Sequence, residues 1–252
     1  MHQTTLATLS PAELAAAFTT VYQDYLVPFV VDEGWARLHL ASNDIVSAAS
    51  PLWLADDGRV IALAALGRRG ARGWVGGFGV ASDYRGRGLA SRLIAALLDS
   101  ARVLGLAEMR LEVIAGNTRA IRTYERAGFA RVHDLRFLTL EPAGAAGRGD
   151  PLSPVDLAEM LAHGARLRPV APVWQREAGA IARTPNLAGA ALGPVDAPDV
   201  ASALALAAAL PRHLPGRTLR LANEPEGDPV CAALDRLGWR ETLRQYEMAC
   251  AM

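Results

Sequence analysis

The sequence predicts an α+β fold built on a mixed sheet. Two helical patterns come first. A run of hairpin strands follows, and then strand, helix, strand, helix and strand alternate. That order combines antiparallel with parallel pairing in one layer, with helices to cover it. Residues 3–9 alternate weakly and read as an edge strand. Ser10-Pro11 opens a helix expected over 11–26, because serine caps well and proline fits the first helical position. Leu14, Phe18, Val21, Tyr22 and Tyr25 lie at helical spacing, and Pro28 ends the run. Asp32 caps a shorter helix from Glu33 to Leu40. LWLADDGRVIALAAL (52–66) is two strands joined by an Asp-Gly turn, a strong hairpin signal. WVGGFGVA (74–81) is the third strand, and its Gly76, Gly77 and Gly79 mark a bulge or a close backbone approach. The next helix presents Leu93, Ile94, Leu97, Leu98, Ala101 and Leu104 on one face, with Gly105 as its C-cap. A short strand (109–114), a further helix (from 117 or 118 to 127) and a last strand or strand pair (to about 141) complete this half.

Composition excludes several classes. Twenty-six basic residues balance 26 acidic ones, and every basic residue is arginine. No Schiff base, P-loop lysine or lysine nucleophile exists here. The zero balance argues against a nucleic-acid partner, which requires surplus positive charge. Cys231 and Cys250 are too few for a disulfide scaffold or a zinc site. No signal-peptide pattern and no apolar run of about 18 residues is present, so a cytoplasmic protein without a membrane partner is expected. Residues 141–154, EPAGAAGRGDPLSP, read as a boundary. The expected division is a domain over 1–141, a linker over 142–153 and a second domain over 154–252.

The most informative segment is FGVASDYRGRGLAS (78–91), where a strand runs through a glycine-rich loop into a helix. N–H groups at a helix start lack intrahelical partners, and the helix dipole favours an anion there. Gly86 and Gly88 would let the backbone wrap a phosphate, with charge-assisted help from Arg85 and Arg87. A plain strand-to-helix turn is the competing reading. The loop is neither a Rossmann fingerprint nor a Walker A loop. A second element, LEVIAGNTRAIRTYERAGF (111–129), follows about 30 residues later.

These two motifs, R-x-x-G-x-A at 85–90 and N-(x)6-Y-(x)3-G-F at 117–129, resemble the GCN5-related N-acetyltransferase (GNAT) superfamily over about residues 3–140. Ser82 stands where a proline is common in the family. The resemblance implies a GNAT fold and transfer of an acetyl group from acetyl-CoA, without a metal, to an amine of a small molecule or peptide. It implies that residues 85–91 (Arg85, Gly86, Arg87, Gly88, Leu89, Ala90, Ser91) hold the CoA pyrophosphate. Phe78, Gly79 and Val80 would pair with the pantetheine arm, and Asn117 and Tyr124 would lie along the cofactor. A backbone N–H there would polarise the thioester carbonyl. Tyr124 matches the tyrosine that protonates the leaving sulfur; packing as a core aromatic is its other reading. Glu112, twelve residues earlier, matches the glutamate base of some peptide N-terminal acetyltransferases, against a strand-end salt bridge. The strand before the loop lacks the carboxylate many relatives carry, so Asp24, Asp32 and Glu33 stay open as bases.

Shifting the sequence by 110 residues lays 91–104 on 201–214, Arg110-Leu111 on Arg220-Leu221, and Arg126, Gly128 and Phe129 on Arg236, Gly238 and Trp239. This suggests an internal duplication. The loop 85–90 falls on VDAPDV (195–200), Asn117 on Gly227, Glu112 on Ala222 and Tyr124 on Leu234. The second half is therefore expected to be a shorter, degenerate GNAT-like domain that does not bind CoA. It would wall the acceptor site, complete the sheet or mediate a homodimer. His39, His133, His163 and His213 lack ligand spacing, and Trp174, Gln175 and Arg176 could line a pocket or simply pack. A non-catalytic CoA-binding regulator and a purely structural protein are the alternatives to an enzyme.

Overall fold

The computed structural model of the protein describes residues 1–26, 31–141, 166–167, 190–192, 195–196, 218–227 and 229–252. The expected linker 142–153, the expected helix 201–214, and His163, Trp174, Gln175, Arg176 and His213 lie outside the described residues. The chain forms two compact units. One comprises Met1–Val132 with Glu247–Met252, the other His133–Tyr246. Among the described residues, no helix is long and apolar enough to cross a membrane.

The first unit contains β1 (His2–Thr5), α1 (Pro11–Val21), α2 (Glu33–Ser42), β2 (Pro51–Leu54), β3 (Val60–Arg69), β4 (Arg72–Val80), α3 (Leu89–Val103), β5 (Glu108–Ile114) and α4 (Thr118–Arg126). Strands β1 to β4 pair antiparallel in sequence order, and β5 joins β4 in parallel. Residues from the other end of the chain complete this unit. Met252 N–H donates to the Ala107 carbonyl at 3.1 Å, and Arg110 pairs with Glu247 at 2.9 Å.

Local chemistry sets the elements. Ser10 and Glu13 form a capping box, with the Ser10 N–H on the Glu13 carboxylate at 2.8 Å. Helix α1 stops at Val21 instead of running to 26, because Tyr22 leaves helical geometry and Asp24 enters the left-handed region at φ 62°. Asp32 caps α2 by accepting the Trp35 N–H at 2.6 Å. Leu14, Phe18 and Val21 of α1 pack with Trp35, Leu52, Leu63 and Ala65. Helix α3 buries Leu93, Ile94, Leu97, Leu98 and Ala101. Residues 61–67 of β3 are all buried, as a central strand covered on both faces requires.

His39 sits in this aromatic core. Its ring stacks on Trp35 at 4.3 Å and meets Phe18 edge-on at 5.5 Å. Burial pushes its pKa down from 6.5 to about 4, against a smaller opposing pull from the Gly76 backbone. The unfolded chain therefore takes up a proton at this position first as pH falls. Stability is expected to be full above about pH 6.5 and to decline between 6.5 and 4. Thermal melts across that range should slope for the native protein and flatten for His39→Phe. An unchanged slope in the variant would contradict this.

The second unit takes in β6 (Ala130–Leu140) from residue 133, β7 (Arg166–Leu167), β8 (Ala190–Leu192), β9 (Val195–Asp196), β10 (Leu219–Pro225), α5 (Pro229–Arg236) and β11 (Arg240–Ala251) up to residue 246. Strand β10 pairs antiparallel with β6 and parallel with β8, and β7 pairs with β9. Arg136 bridges Asp235 at 2.9 Å and Glu241 at 2.8 Å. At the 110-residue offset the same helix-ending turn recurs. Gly128 and Gly238 have φ of 95° and 89°. Phe129 N–H meets the Tyr124 carbonyl at 3.0 Å, and Trp239 N–H meets the Leu234 carbonyl at 3.1 Å. Both aromatic side chains are buried.

Candidate active site

Strand β4 is where the sheet opens. It pairs with β5 at Arg72↔Glu108, Gly73↔Met109 and Trp74↔Arg110, and beyond Trp74 the two parallel strands part. Its pairing with β3 continues to Ala62↔Val80, but the register shifts between Ala65↔Gly77 and Leu66↔Val75. Gly76 is left unopposed, a β-bulge that bends and twists the strand. The neighbouring glycines have a further reason, invisible in the sequence. A Cβ on Gly77 would lie 2.6 Å from the Phe18 ring, and one on Gly79 would lie 2.7 Å from Val21. Helix α1 rests directly on the backbone of β4.

Past the bulge, alternate residues of β4 present main-chain groups away from β3. Phe78 N–H donates to the Tyr22 hydroxyl at 3.1 Å, and the Val80 carbonyl accepts from Arg85 Nε at 2.9 Å. Main-chain groups on an open strand side suit an extended ligand that adds itself as a strand.

The loop after β4 delivers the expected helix start. Gly86 and Gly88 have φ of 77° and 75°, and a Cβ on either would meet nothing within 4 Å. Gly88 is the N-cap without a side-chain cap. The first intrahelical bond is Arg92 N–H to the Gly88 carbonyl at 3.3 Å, so the N–H groups before it point out of the helix. Leu89 is buried and anchors the turn, while Ala90 and Ser91 lie nearer solvent. The Arg87 guanidinium lies 5.3 Å from the centre of the Tyr84 ring and stays exposed beside the loop. Arg85 differs from the expectation. Its guanidinium turns inward to the Val80, Val21 and Gln23 carbonyls, so its charge is spent on the scaffold rather than on the loop's open side.

Tyr124 is buried on α4, with its ring 5.5 Å from Phe78 and 6.0 Å from Phe129, edge-on to both. Burial raises its pKa well above the ordinary phenol value, and the nearby Tyr22 and Tyr25 raise it further. The phenol therefore stays protonated and can donate. Asn117 is the N-cap of α4, its side chain accepting the Ala120 N–H at 3.2 Å. Glu112 is half-buried on β5 between buried Leu111 and Val113, in the stretch that has parted from β4. The other carboxylates are placed differently. Asp32 caps α2, Glu33 pairs with Arg37 at 2.6 Å on the surface, and Asp24 lies in the exposed turn after α1. His39, with its pKa near 4, is too weak a base to take a proton from an ammonium.

Two site residues were not singled out from sequence. Tyr22 joins the site through its hydrogen bond with Phe78, and Tyr25 meets the Tyr22 ring edge-on at 5.0 Å. Their spacing of four and seven residues from Phe18 was visible, but it reads equally as a core stripe. A separate cavity of about 640 Å³ opens between α1 and residues 81–84. Neither Phe78 nor Tyr124 lines it.

Residues 15–129 match the model of the acetyltransferase (GNAT) family. An uncharacterised N-acetyltransferase of Bacillus subtilis, YycN, is 42% identical over 52 residues, which are 21% of this chain and 33% of that protein. N-alpha-acetyltransferase 30 of Schizosaccharomyces pombe is 38% identical over 60 residues, 24% of this chain and 40% of that protein. These matches thus span well under half of either relative. The crystal structure of a GCN5-related N-acetyltransferase from Sphaerobacter thermophilus superposes with a TM-score of 0.64 at 14% identity, covering 99% of this chain and 95% of that one. This last likeness shows a shared fold. Residues 15–129, just under half of the chain, thus match the acetyltransferase (GNAT) family.

Proposed function

We propose that the protein transfers the acetyl group of acetyl-CoA to a primary amine, by direct attack in the gap between β4 and β5. The observation that carries this reading is the meeting of three features there. The Phe78 N–H reaches the Tyr22 hydroxyl, the Phe78 ring packs edge-on to the buried Tyr124 ring, and the strand bearing it runs into a helix N-terminus opened by two left-handed glycines. The N–H groups of residues 86–91 hold the pyrophosphate, and Phe78, Gly79 and Val80 pair with the pantetheine arm. Asn117 lies along the cofactor and keeps α4 in place.

The amine nitrogen attacks the thioester carbon, and the Phe78 N–H stabilises the oxyanion. Glu112 takes the proton lost by the amine. The C–S bond breaks as Tyr124 gives its proton to sulfur, and CoA leaves as a thiol. Tyr124 then recovers a proton from solvent. The second half, 154–252, is a degenerate copy of the first that does not bind CoA, and the recurring turn at the 110-residue offset supports that origin.

Incubation with acetyl-CoA and a panel of amines (a peptide N-terminus, an aminoglycoside, a small metabolite amine), read by free-thiol release, tests the reading. Amine-dependent release is expected. CoA binding without such release would replace it with a non-catalytic CoA-binding role.

A further inference from the structure

Tyr22 occupies a position that the acyl-transfer chemistry does not explain. Its hydroxyl accepts the Phe78 N–H at 3.1 Å, the same donor proposed above for the oxyanion. The ring is held firmly. It stacks on Phe18 with centroids 5.9 Å apart and an interplanar angle of 7°, and it meets Tyr25 edge-on at 5.0 Å. The backbone on both sides of it is also tied down. Arg85 Nη2 donates to the Val21 carbonyl at 3.3 Å and the Gln23 carbonyl at 2.9 Å, while its Nε donates to the Val80 carbonyl at 2.9 Å. One guanidinium therefore fastens the turn carrying Tyr22 to the end of β4, two residues beyond Phe78. The same arginine begins the loop whose glycines open the helix N-terminus.

We infer that the Tyr22 hydroxyl competes with the acyl carbonyl for the Phe78 N–H, and that Arg85 is the positioning residue that holds Tyr22 to this task. The inference rests on the acyl-transfer reading of the site. One N–H offers one proton, so a thioester oxygen can take it at full strength only when the phenol oxygen withdraws. A donor that carries an acyl carbonyl meets this competition. CoA, which carries none, does not. Tyr22 thereby sets how tightly the acylated and the free cofactor bind relative to each other, and it disfavours the loaded form until the carbonyl is correctly seated.

The test is calorimetric titration of native protein and Tyr22→Phe with acetyl-CoA, CoA and S-ethyl-CoA, a thioether with no carbonyl. The variant should bind acetyl-CoA about two- to tenfold more tightly, the worth of one released hydrogen bond. Its affinity for CoA and S-ethyl-CoA should be unchanged. Weaker binding of acetyl-CoA, or an equal change for all three ligands, would overturn the inference. Native protein that binds none of the three would instead remove the acyl-transfer reading beneath it.

Discussion

Tyr124→Phe is expected to lower turnover by roughly 10²–10⁴, the usual contribution of a positioned general acid, with acetyl-CoA affinity unchanged. The substitution removes one oxygen and keeps the ring. The edge-on contacts with Phe78 and Phe129 therefore survive, and so does the fold. What is lost is the proton for the departing sulfur. Because burial holds the phenol above its ordinary range, the group remains an acid through pH 10. Any fall in rate below about pH 10 must then come from another residue. Steady-state kinetics with free-thiol detection decide the matter. Turnover that is unchanged would return Tyr124 to a packing role.

The second large effect is expected at the donor loop. Gly86→Ala with Gly88→Ala places two L-residues at φ of 77° and 75°, each at a cost of about 1–2 kcal/mol. No atom stands within 4 Å of either new Cβ, so the protein can fold. The strain is relieved by moving the loop, which pulls the N–H groups out of convergence. CoA affinity should fall about 10- to 100-fold, at roughly 1.4 kcal/mol per factor of ten. Gly105→Ala is the control, because it has φ of 67° and open space but ends α3 at its other end. It should lower the melting temperature without touching CoA affinity. Equal CoA affinity in the double variant and the native protein would contradict a phosphate cradle at this loop.

The elements of residues 1–140 were legible because their signals are local. Ser10 and Asp32 cap helices as their positions suggest, and the stripe from Leu93 to Ala101 is the buried face of α3. The glycine loop was legible for the same reason, since a left-handed φ leaves a mark on residue type. Long-range relations left no such mark. Gly77 and Gly79 are small because Phe18 and Val21, some 60 residues earlier, press on them. Arg85 looked like an anion ligand because the carbonyls it serves belong to α1 and its turn. Tyr22 looked like core, since one hydroxyl on a helical stripe does not announce its partner. The completion of the first unit by Glu247–Met252 is a pairing over more than a hundred residues, which no periodicity encodes.

A crystal structure with acetyl-CoA bound tests the central claim most directly. The account predicts the pyrophosphate on the N–H groups of residues 86–91 and the thioester oxygen on the Phe78 N–H, with the sulfur within hydrogen-bond reach of the Tyr124 hydroxyl. A cofactor seated elsewhere, with β4 and β5 parted but no thioester between them, would contradict it.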